Sequence, residues 1–253
     1  MMDRAYWNRL ATSYEAEIFS VLGHDRSGLI ARTVRRYGNK NQTATDVGCG
    51  IGHFLPLLAE RFRRVLAVDY SSRCLAQARK RHADLANVSY RTVDLAAARA
   101  RLPRADFALC VNAVISPALA DRSRMLDVVG RHLRPGAHLV LVVPALESSL
   151  LADFRLIEWN LRNGVPPRRA VRAGPRPDQP ACKPRIHEGV VPIDRVDTKH
   201  FLKEEMAVLL KRRGLHMRQV EKIEYPWSSE FASPPRWMQA PYPWDWLFVA
   251  QKG

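Results

Sequence analysis

The sequence Thr45-Asp46-Val47-Gly48-Cys49-Gly50-Ile51-Gly52-His53-Phe54 carries glycine at three alternating positions. Residues 43–47, which lead into the glycines, predict a strand, and residues 51–61 predict a helix. Glycine in such a turn permits positive φ and lets the backbone approach a ligand closely. The start of the helix offers unpaired N–H groups to an anionic group. We therefore predict a strand, a tight turn and a helix, with a ligand at the turn.

Two aspartates follow the turn at spacings that indicate an adenosine ligand. Asp69 lies 21 residues after Gly48 and ends the second predicted strand, where a carboxylate can bind both hydroxyls of a ribose. Asp94 lies 25 residues further on and ends the third strand, where it can accept from the exocyclic amine of an adenine. Phe54 replaces the last small residue of a dinucleotide-binding turn. The pattern favours an adenosine with a zwitterionic tail over NAD, and it disfavours a turn without ligand.

Short apolar runs alternate with helical segments along most of the chain, which is typical of βαβ units in a parallel sheet. The predicted strands are 43–47, 65–69, 88–93, 105–112, 137–143, 215–224 and 245–250. The predicted helices include one from about Asp25 to Gly38 and others at 51–61, 72–83, 121–133, 147–162 and 202–213. A chain of 253 residues fits one domain. We divide it into an N-terminal helical cap (1–38), a cofactor-binding core (40–145), a helical and Pro/Arg-rich insertion (146–198), and the last helix with a C-terminal strand pair (199–253).

Three motifs and one turn carry a resemblance to a known family. Asp46-Val47-Gly48-Cys49-Gly50-Ile51-Gly52, Val68-Asp69-Tyr70-Ser71 and Val93-Asp94-Leu95 resemble the first three motifs of the class I S-adenosylmethionine-dependent methyltransferases. Arg134-Pro135-Gly136-Ala137 is similar to that family's turn into strand five. The resemblance is strong over residues 40–145 and extends to 200–253 by pattern. It implies S-adenosyl-L-methionine as cofactor and a Rossmann-like α/β fold, with a seven-stranded, mostly parallel sheet that ends in an antiparallel strand.

The resemblance also implies roles for individual residues. Gly48 and Gly50 would lie against the methionine part of the cofactor, and Tyr70 and Leu95 would flank the adenine. Asn112, at the end of strand four, stands where the family places cofactor and acceptor side by side. Asp69 would hold the ribose and Asp94 the adenine amino group. The full predicted cofactor-binding set is Asp46, Gly48, Cys49, Gly50, Asp69, Tyr70, Asp94, Leu95 and Asn112.

Three residues are candidates for a direct part in catalysis. Tyr14 lies on an aromatic N-terminal helix of a kind that often closes over the cofactor in this family, although such a helix can equally dock for packing alone. His187, beside Glu188, and His200 are candidate general bases. His53 is expected to cap or pack. Methyl transfer from a sulfonium needs a neutral nucleophile in line with the methyl carbon, so a base is optional.

The acceptor is less constrained than the cofactor. The end of strand four has no Asn/Asp-Pro-Pro-aromatic run, and Cys110 has no preceding proline, so it is expected to be a core residue. Trp227 and Trp237 lie between the last two predicted strands, where aromatic walls could hold an amine. Trp246 and Phe248 alternate within a strand and are expected to pack.

Charge is the chain's unusual property. Lys and Arg number 40 against 25 Asp and Glu, a formal net charge of +15. Residues 162–185 contain seven Lys and Arg and only one acidic residue, Asp178. This segment is either a solvated loop or a lid that pairs with a carboxylate or phosphate of the acceptor. The remaining charge is scattered in triplets and accompanies no recognised RNA-binding module.

The cysteines and the N-terminal residues indicate the cellular compartment of the protein. Cys49, Cys74, Cys110 and Cys182 lie far apart without a CxxC pair, which disfavours a disulfide framework or a structural zinc site. The N-terminus lacks the apolar run of a signal peptide, and the apolar stretch 139–146 is too short to span a bilayer. We predict a cytoplasmic protein without a bound metal.

These observations together predict a methyltransferase that acts on an N or O nucleophile of a small molecule, in a pocket closed by the N-terminal helix and the insertion. The first alternative is a methyltransferase directed at RNA or at a protein of the translation apparatus, which the net charge supports. The second alternative is a scaffold that binds the cofactor without turnover.

Overall fold

The structure is a computed structural model, and it describes residues 4–17, 20–171, 185–193 and 196–253. In chain order the strands are β1 (Thr43–Val47), β2 (Arg64–Asp69), β3 (Val88–Thr92), β4 (Ala105–Val111), β5 (Leu133–Pro144), β6 (Val190–Ile193), β7 (Val196–Lys199), β8 (Leu215–Glu224) and β9 (Trp244–Lys252). The helices are α1 (Arg4–Leu10), α2 (Tyr14–Glu17), α3 (Val21–His24), α4 (Leu29–Tyr37), α5 (Leu55–Arg61), α6 (Ser72–Arg81), α7 (Leu119–His132), α8 (Leu146–Arg162), α9 (Pro167–Ala170) and α10 (Lys203–Lys211).

The main sheet has seven strands in the order β3-β2-β1-β4-β5-β9-β8. Strands β1 to β5 pair in parallel, whereas β9 is antiparallel to both of its neighbours, β5 and β8. The central strands are buried on both faces because helices cover each side, which explains their nearly unbroken apolar composition. The predicted α/β fold, with a mostly parallel sheet and a final antiparallel strand, is confirmed.

Two predicted helices begin later than expected. Helix α5 starts at Leu55 and not at residue 51, because Gly52, inside the predicted range, takes a φ value of 87°, and Gly48 and Gly50 just before it take 73° and 54°. A right-handed helix cannot contain these values. Helix α4 starts at Leu29, after a separate turn of helix over Val21–His24.

The insertion contains an antiparallel hairpin, β6–β7, that the sequence analysis did not predict. The hairpin is attached to the rest of the fold by its last residues. The amide of Lys199 donates to the carbonyl of Ile115 at 3.0 Å, and the amide of Phe201 donates to the carbonyl of Pro144 at 2.8 Å. These bonds place the hairpin beside the carboxyl ends of β4 and β5. Most of the predicted Pro-rich loop, including Pro175, Pro177, Pro180 and Pro184, lies outside the described residues.

The core consists of two apolar layers, one on each face of the sheet. None of the helices in the described ranges combines the length and the apolar composition that a bilayer crossing requires. The carboxyl ends of β1 to β4 all meet at one edge, where the N-terminal helices and the hairpin also arrive, and this edge holds the candidate site.

Candidate functional site

The glycine turn after β1 is tied to the end of β2. The amides of Gly48 and Cys49 both donate to the carbonyl of Val68, at 2.8 and 3.0 Å. A Cβ atom on Gly48 would overlap the side chain of Ala113, and one on Gly50 would overlap the hydroxyl of Tyr14. Glycine is therefore required at both positions for two reasons, the positive φ and the lack of space.

Asp69, the last residue of β2, is held by the backbone of the turn. Its Oδ2 accepts from the amide of Gly50 at 2.9 Å, and its Oδ1 accepts from the amide of Ser71 at 2.8 Å. Burial raises the pKa of this carboxyl, while backbone donors at Ser71, Gly50 and Tyr70 oppose the rise. Each oxygen keeps a second lone pair, so the carboxyl can still accept from a pair of hydroxyls.

Asp46, inside β1, is a buried acid with an unused hydrogen-bonding atom. Its exposure is 2%, and its Oδ2 has no hydrogen-bond partner. Burial, with a contribution from Asp69, raises the pKa of Asp46 to about 8. An unpartnered buried carboxylate is costly, so the protonated form of Asp46 is favoured at neutral pH.

The third motif lies at the same edge. The Oδ1 atom of Asp94 accepts from the amide of Ala96 at 2.9 Å, which orients the carboxyl at the end of β3. Leu95 is buried, and the guanidinium of Arg4 lies 4.8 Å from the ring centroid of Tyr70.

Asn112, directly after β4, has a left-handed backbone with φ of 48°. Its Nδ2 donates to Oδ2 of Asp245 at 3.2 Å, and the hydroxyl of Tyr225 donates to the same oxygen at 3.0 Å. The Oδ1 atom of Asn112 is buried without a partner. Neither Asp245 nor Tyr225 is predicted from the sequence; for Asp245 the available signal is an acid inside the apolar strand 245–250.

One cleft of about 970 Å³ joins these residues. Its lining includes eight of the nine predicted cofactor-binding residues: Asp46, Gly48, Cys49, Asp69, Tyr70, Asp94, Leu95 and Asn112. The ninth, Gly50, lies under the hydroxyl of Tyr14, which itself lines the cleft. The structure thus brings the predicted set together at a single edge of the sheet.

The N-terminal segment covers this edge. The hydroxyl of Ser71 donates to Oδ1 of Asn8 at 2.7 Å, and Glu15 forms an ion pair with Arg81. Burial, with a contribution from Asp69, raises the pKa of Tyr14, so its phenol stays protonated at neutral pH. Ile18 and Phe19 of the predicted helix lie outside the described residues.

The two histidines predicted as bases do not reach the cleft. The side chain of His187 is 85% exposed and lies 3.7 Å from Glu188. His200 is buried, its Nδ1 lies 3.1 Å from the carbonyl of Thr198, and burial lowers its pKa to about 4. Neither side chain is among the cleft-lining residues, so the structure gives neither of them a position from which to act as the base.

The predicted aromatic wall is also elsewhere. Trp227 is 2% exposed, stacks on Phe231 at a centroid distance of 5.6 Å and donates from Nε1 to the carbonyl of Gln239. The guanidinium of Arg162 lies 4.0 Å from the ring centroid of Trp237. Both tryptophans pack against α8, and neither is part of the cleft lining.

The hairpin supplies a wall that the sequence analysis missed. Ile193, Val196 and Thr198 line the cleft, together with Ile115 and Met125. The apolar run at 190–193 was the signal that could have shown a strand there.

The basic part of the insertion does not reach the cleft within the described residues. Arg162 forms an ion pair with Glu158, and Arg185 forms one with Glu188. Arg168 and Arg169, on α9, are exposed. None of these four arginines lines the cleft. Arg172, Arg176, Lys183 and Asp178 lie outside the described residues. The described arginines therefore do not form the predicted contact with an anionic acceptor.

Comparison with known proteins adds independent information. A family model for a methyltransferase domain matches residues 44–136. Trans-aconitate 2-methyltransferase from Azoarcus sp. (strain BH72) is 36% identical over 104 residues, which cover 40% of this chain and 39% of that protein. A probable cobalt-precorrin-6B C(15)-methyltransferase (decarboxylating) from Methanothermobacter thermautotrophicus is 28% identical over 137 residues, 49% of this chain and 69% of that protein. The chain thus spans about two fifths of the length of the first relative.

A solved structure supports the fold over nearly the whole chain. The N-methyltransferase NodS from Bradyrhizobium japonicum WM9, in complex with S-adenosyl-L-homocysteine, superposes with a TM-score of 0.62 at 12% identity, and the match covers 98% of this chain and 97% of that one. Residues 44–136 match a methyltransferase domain, and this match, the motifs at the cleft and the order of the sheet support the superfamily of class I S-adenosylmethionine-dependent methyltransferases.

Proposed function

We propose that the protein transfers a methyl group from S-adenosylmethionine to a small molecule in the cleft at the carboxyl edge of the sheet. One observation carries the proposal: the same cleft is lined by the cofactor motifs, by Tyr14 and by the hairpin residues Ile193, Val196 and Thr198. A cleft of about 970 Å³ suits a nucleotide-sized cofactor together with a small acceptor.

The residues present fit the cofactor. The Asp69 carboxyl has lone pairs for the ribose hydroxyls, and the unpartnered Oδ2 of Asp46 can receive a cationic amino group. Gly48 and Gly50 leave the turn without side chains. When bound, the cofactor supplies a methyl group on a sulfonium, whose C–S bond electrons stay on sulfur as an acceptor lone pair forms the new bond to carbon.

The protein's own contribution is positioning and exclusion of water. Tyr14 and the docked N-terminal segment cover the glycine turn, and the hairpin covers the opposite end. A protonated phenol at Tyr14 can donate a hydrogen bond without competing as a nucleophile. A neutral acceptor nitrogen or oxygen needs no base for the bond-forming step, and its excess proton can leave to water afterwards.

The identity of the acceptor is the open part of the proposal. The name of the Azoarcus relative specifies trans-aconitate, a carboxylate, as its acceptor. The net charge of +15 favours the second candidate, a methyltransferase directed at RNA, because a strongly basic surface attracts phosphate backbones. The position of Tyr14 and of the hairpin residues Ile193, Val196 and Thr198 in the lining of one concave cleft supports the small-molecule acceptor instead.

The test follows the methyl group. Purified protein would be incubated with S-adenosylmethionine carrying a labelled methyl, together with a metabolite extract, transfer RNA or ribosomal protein. We expect label in the small-molecule fraction and S-adenosylhomocysteine in equal amount. Label in RNA or protein would overturn the small-molecule acceptor, and cofactor binding without any transfer would favour a scaffold. Asp69→Ala serves as the control that should lose both binding and transfer.

A further inference from the structure

The amino ends of the parallel strands form a second edge of the sheet, opposite the cleft. Strands β1 to β5 all run toward the cleft, so their first residues, from Thr43 on β1 to Leu133 on β5, lie at this amino edge. Strand β9 runs the other way and brings Lys252 to the same edge, where it pairs with Leu215 at the start of β8. Strands β1 to β4 have five to seven residues. The amino edge is therefore about 16–23 Å from the cleft.

Exposed lysines and arginines follow the amino edge. They belong to the segments that lead into β1, β2, β5 and β8. Within the described part of the chain, six of these exposed residues have neither a side-chain hydrogen bond nor an ion pair: Lys40, Arg63, Arg64, Arg131, Lys211 and Arg212. Their charges are thus available to a partner from outside the chain.

Contacts between α7, α10 and β9 join one half of these cations into a single surface. A Cβ atom on Gly130 would lie 3.2 Å from the side chain of Arg213. The Nζ of Lys252 donates to the carbonyl of Arg213 at 2.7 Å. The end of α7, which carries Arg131, therefore meets the end of α10, which carries Arg212.

The other half of the amino edge is joined in the same way. The amide of Arg63 donates to the carbonyl of Gln42 at 2.9 Å, which links the segments before β1 and β2. The guanidinium of Arg134 donates to Asp106 at 2.8 Å and to the hydroxyl of Thr43 at 3.2 Å, which links β5, β4 and β1. From β2 to β8 the sheet has five inter-strand steps, so the surface is about 24 Å long.

Few acids balance this charge. Asp106 and Asp127 are already paired, with Arg134 and Arg213. Glu60 is exposed but lies toward β3, because the neighbouring carbonyl of Ala59 accepts from the side chain that precedes that strand. The amino edge from β2 to β8 therefore carries most of its positive charge uncompensated.

Helix dipoles explain only part of this pattern. Cations in the last turn of a helix complement its dipole, which is sufficient reason for Arg131 on α7 and Lys211 on α10. Lys40, Arg63 and Arg64 precede or begin strands, so this reason does not apply to them.

The composition of the amino edge indicates the chemistry of its partner. No exposed large apolar residue of the described chain belongs to 38–43, 61–65, 131–137 or 211–218. A protein interface normally has an apolar core, and a membrane-surface element inserts apolar side chains. A phosphate backbone requires only cations, and a guanidinium can bind phosphate through two parallel N–H groups.

We propose that the amino edge of the sheet docks RNA, through the phosphates of a short double-helical arm. A length of about 24 Å spans about seven base pairs, and folded RNA contains helical arms of this length. The inference goes beyond the proposed function, because the RNA lies at the end of the sheet remote from the cleft while the methyl acceptor lies in it. It also gives the net charge of +15 a location.

A matched pair of hairpins tests the partner: an RNA stem of about seven base pairs and a DNA stem of the same sequence, each followed by fluorescence anisotropy. About five phosphate contacts predict RNA binding about a hundredfold weaker at about 150 mM salt than at about 50 mM. We expect the DNA to bind at least about threefold more weakly, because an A-form helix packs phosphates more densely along its axis. No RNA binding at about 50 mM salt, or DNA binding as tight as that of RNA, overturns the inference.

Two competitors represent the other classes of anionic partner: polyglutamate, and vesicles of phosphatidylcholine with phosphatidylserine. Each is added to the RNA complex at equal concentration of negative charge. We expect less than half of the RNA to be displaced by either. Displacement of more than half by polyglutamate would assign the edge to an acidic protein, and by vesicles to a membrane surface; both results overturn the inference.

Variants test the location. Arg63→Gln with Arg64→Gln should weaken RNA binding at least about tenfold at about 50 mM salt and reduce its salt slope by about two. Lys211→Gln with Arg212→Gln should do the same from the other end of the edge, and covers the case in which the first pair misfolds. Unchanged RNA affinity in both pairs overturns the inference. Arg168→Gln with Arg169→Gln is the matched control, because these adjacent arginines are exposed on α9, outside the edge.

The control pair should bind RNA as the wild type does, and an equal loss in it would place the RNA on the insertion instead. S-adenosylhomocysteine affinity should be unchanged in every pair, and saturating S-adenosylhomocysteine should alter RNA affinity by less than about twofold. A change above about tenfold would place the RNA at the cleft, which overturns the inference. A wild-type protein that binds RNA but not S-adenosylhomocysteine refutes the proposed function alone.

Discussion

We expect affinity for S-adenosylhomocysteine to rise with pH up to about 8, because Asp46 must lose a proton on binding. Burial, with a contribution from Asp69, raises the pKa of Asp46 to about 8 in the free protein. A cationic amino group at its unpartnered Oδ2 favours the ionised carboxyl. At about pH 6, two pH units below that pKa, displacing the proton costs about 2.7 kcal/mol. Affinity should therefore be about a hundredfold weaker at pH 6 than above pH 8.

Titration calorimetry in two buffers with different ionisation enthalpies measures both affinity and proton release. We expect release of about one proton per ligand at about pH 6, falling to none above pH 8. Asp46→Asn has the same shape and no titrating group, so its affinity should be flat over this range. A wild-type protein that releases no proton, or a variant with the same pH slope, would refute the reasoning.

In the unliganded protein, the raised pKa of Asp46 also predicts the direction in which stability changes with pH. The folded state binds the Asp46 proton more tightly than the unfolded chain does, so the stability contributed by this group falls as pH rises from about 4 to 8. The difference in thermal midpoint between Asp46→Asn and the wild type should grow in favour of the variant over that range and then level off.

The remaining predictions concern the turn, the ribose site and the hairpin. Asp69→Ala should weaken S-adenosylhomocysteine binding more than tenfold with unfolding still cooperative, and an unchanged calorimetric affinity would contradict its ribose role. Gly48→Ala should cost about 3 kcal/mol by urea unfolding, from strain plus overlap, whereas Gly136→Ala, with φ of 79° and open space, should cost only about 1 kcal/mol. Lys199→Met breaks a 2.8 Å ion pair with Glu205 and should lower the free energy of unfolding by about 2 kcal/mol. A urea unfolding midpoint equal to that of the wild type would show that the ion pair is dispensable.

Local patterns were sufficient where backbone conformation or a repeating burial pattern sets the structure. The strand 215–224 was predicted at its observed bounds, and the glycine turn lies where its spacing placed it. The predicted helix over 51–61 was wrong at its start because Gly52, with a positive φ, occupies its first turn. Hydrophobic periodicity carries no information about φ, so this boundary needed the glycine positions themselves.

Contacts between segments that are distant in the sequence could not be predicted from such local patterns. Asn112 and Asp245 are 133 residues apart, and no sequence pattern near either residue predicts their contact. His187 and His200 were chosen as bases by residue type and proximity to the insertion, yet neither reaches the cleft. The hairpin β6–β7 was missed because Pro192 interrupts a short apolar run.

The sequence by itself determined the cofactor half of this protein. A strand, a glycine turn and acids at the ends of successive parallel strands are local features, and parallel strands necessarily bring their carboxyl ends to one edge. The proposed acceptor half was decided only by tertiary structure, since the cleft lining assigned to it comes from the ends of β4 and β5, from α7 and from the hairpin. The net charge of +15 is summed over the whole surface, whereas the acceptor meets only the few side chains that folding turns toward it.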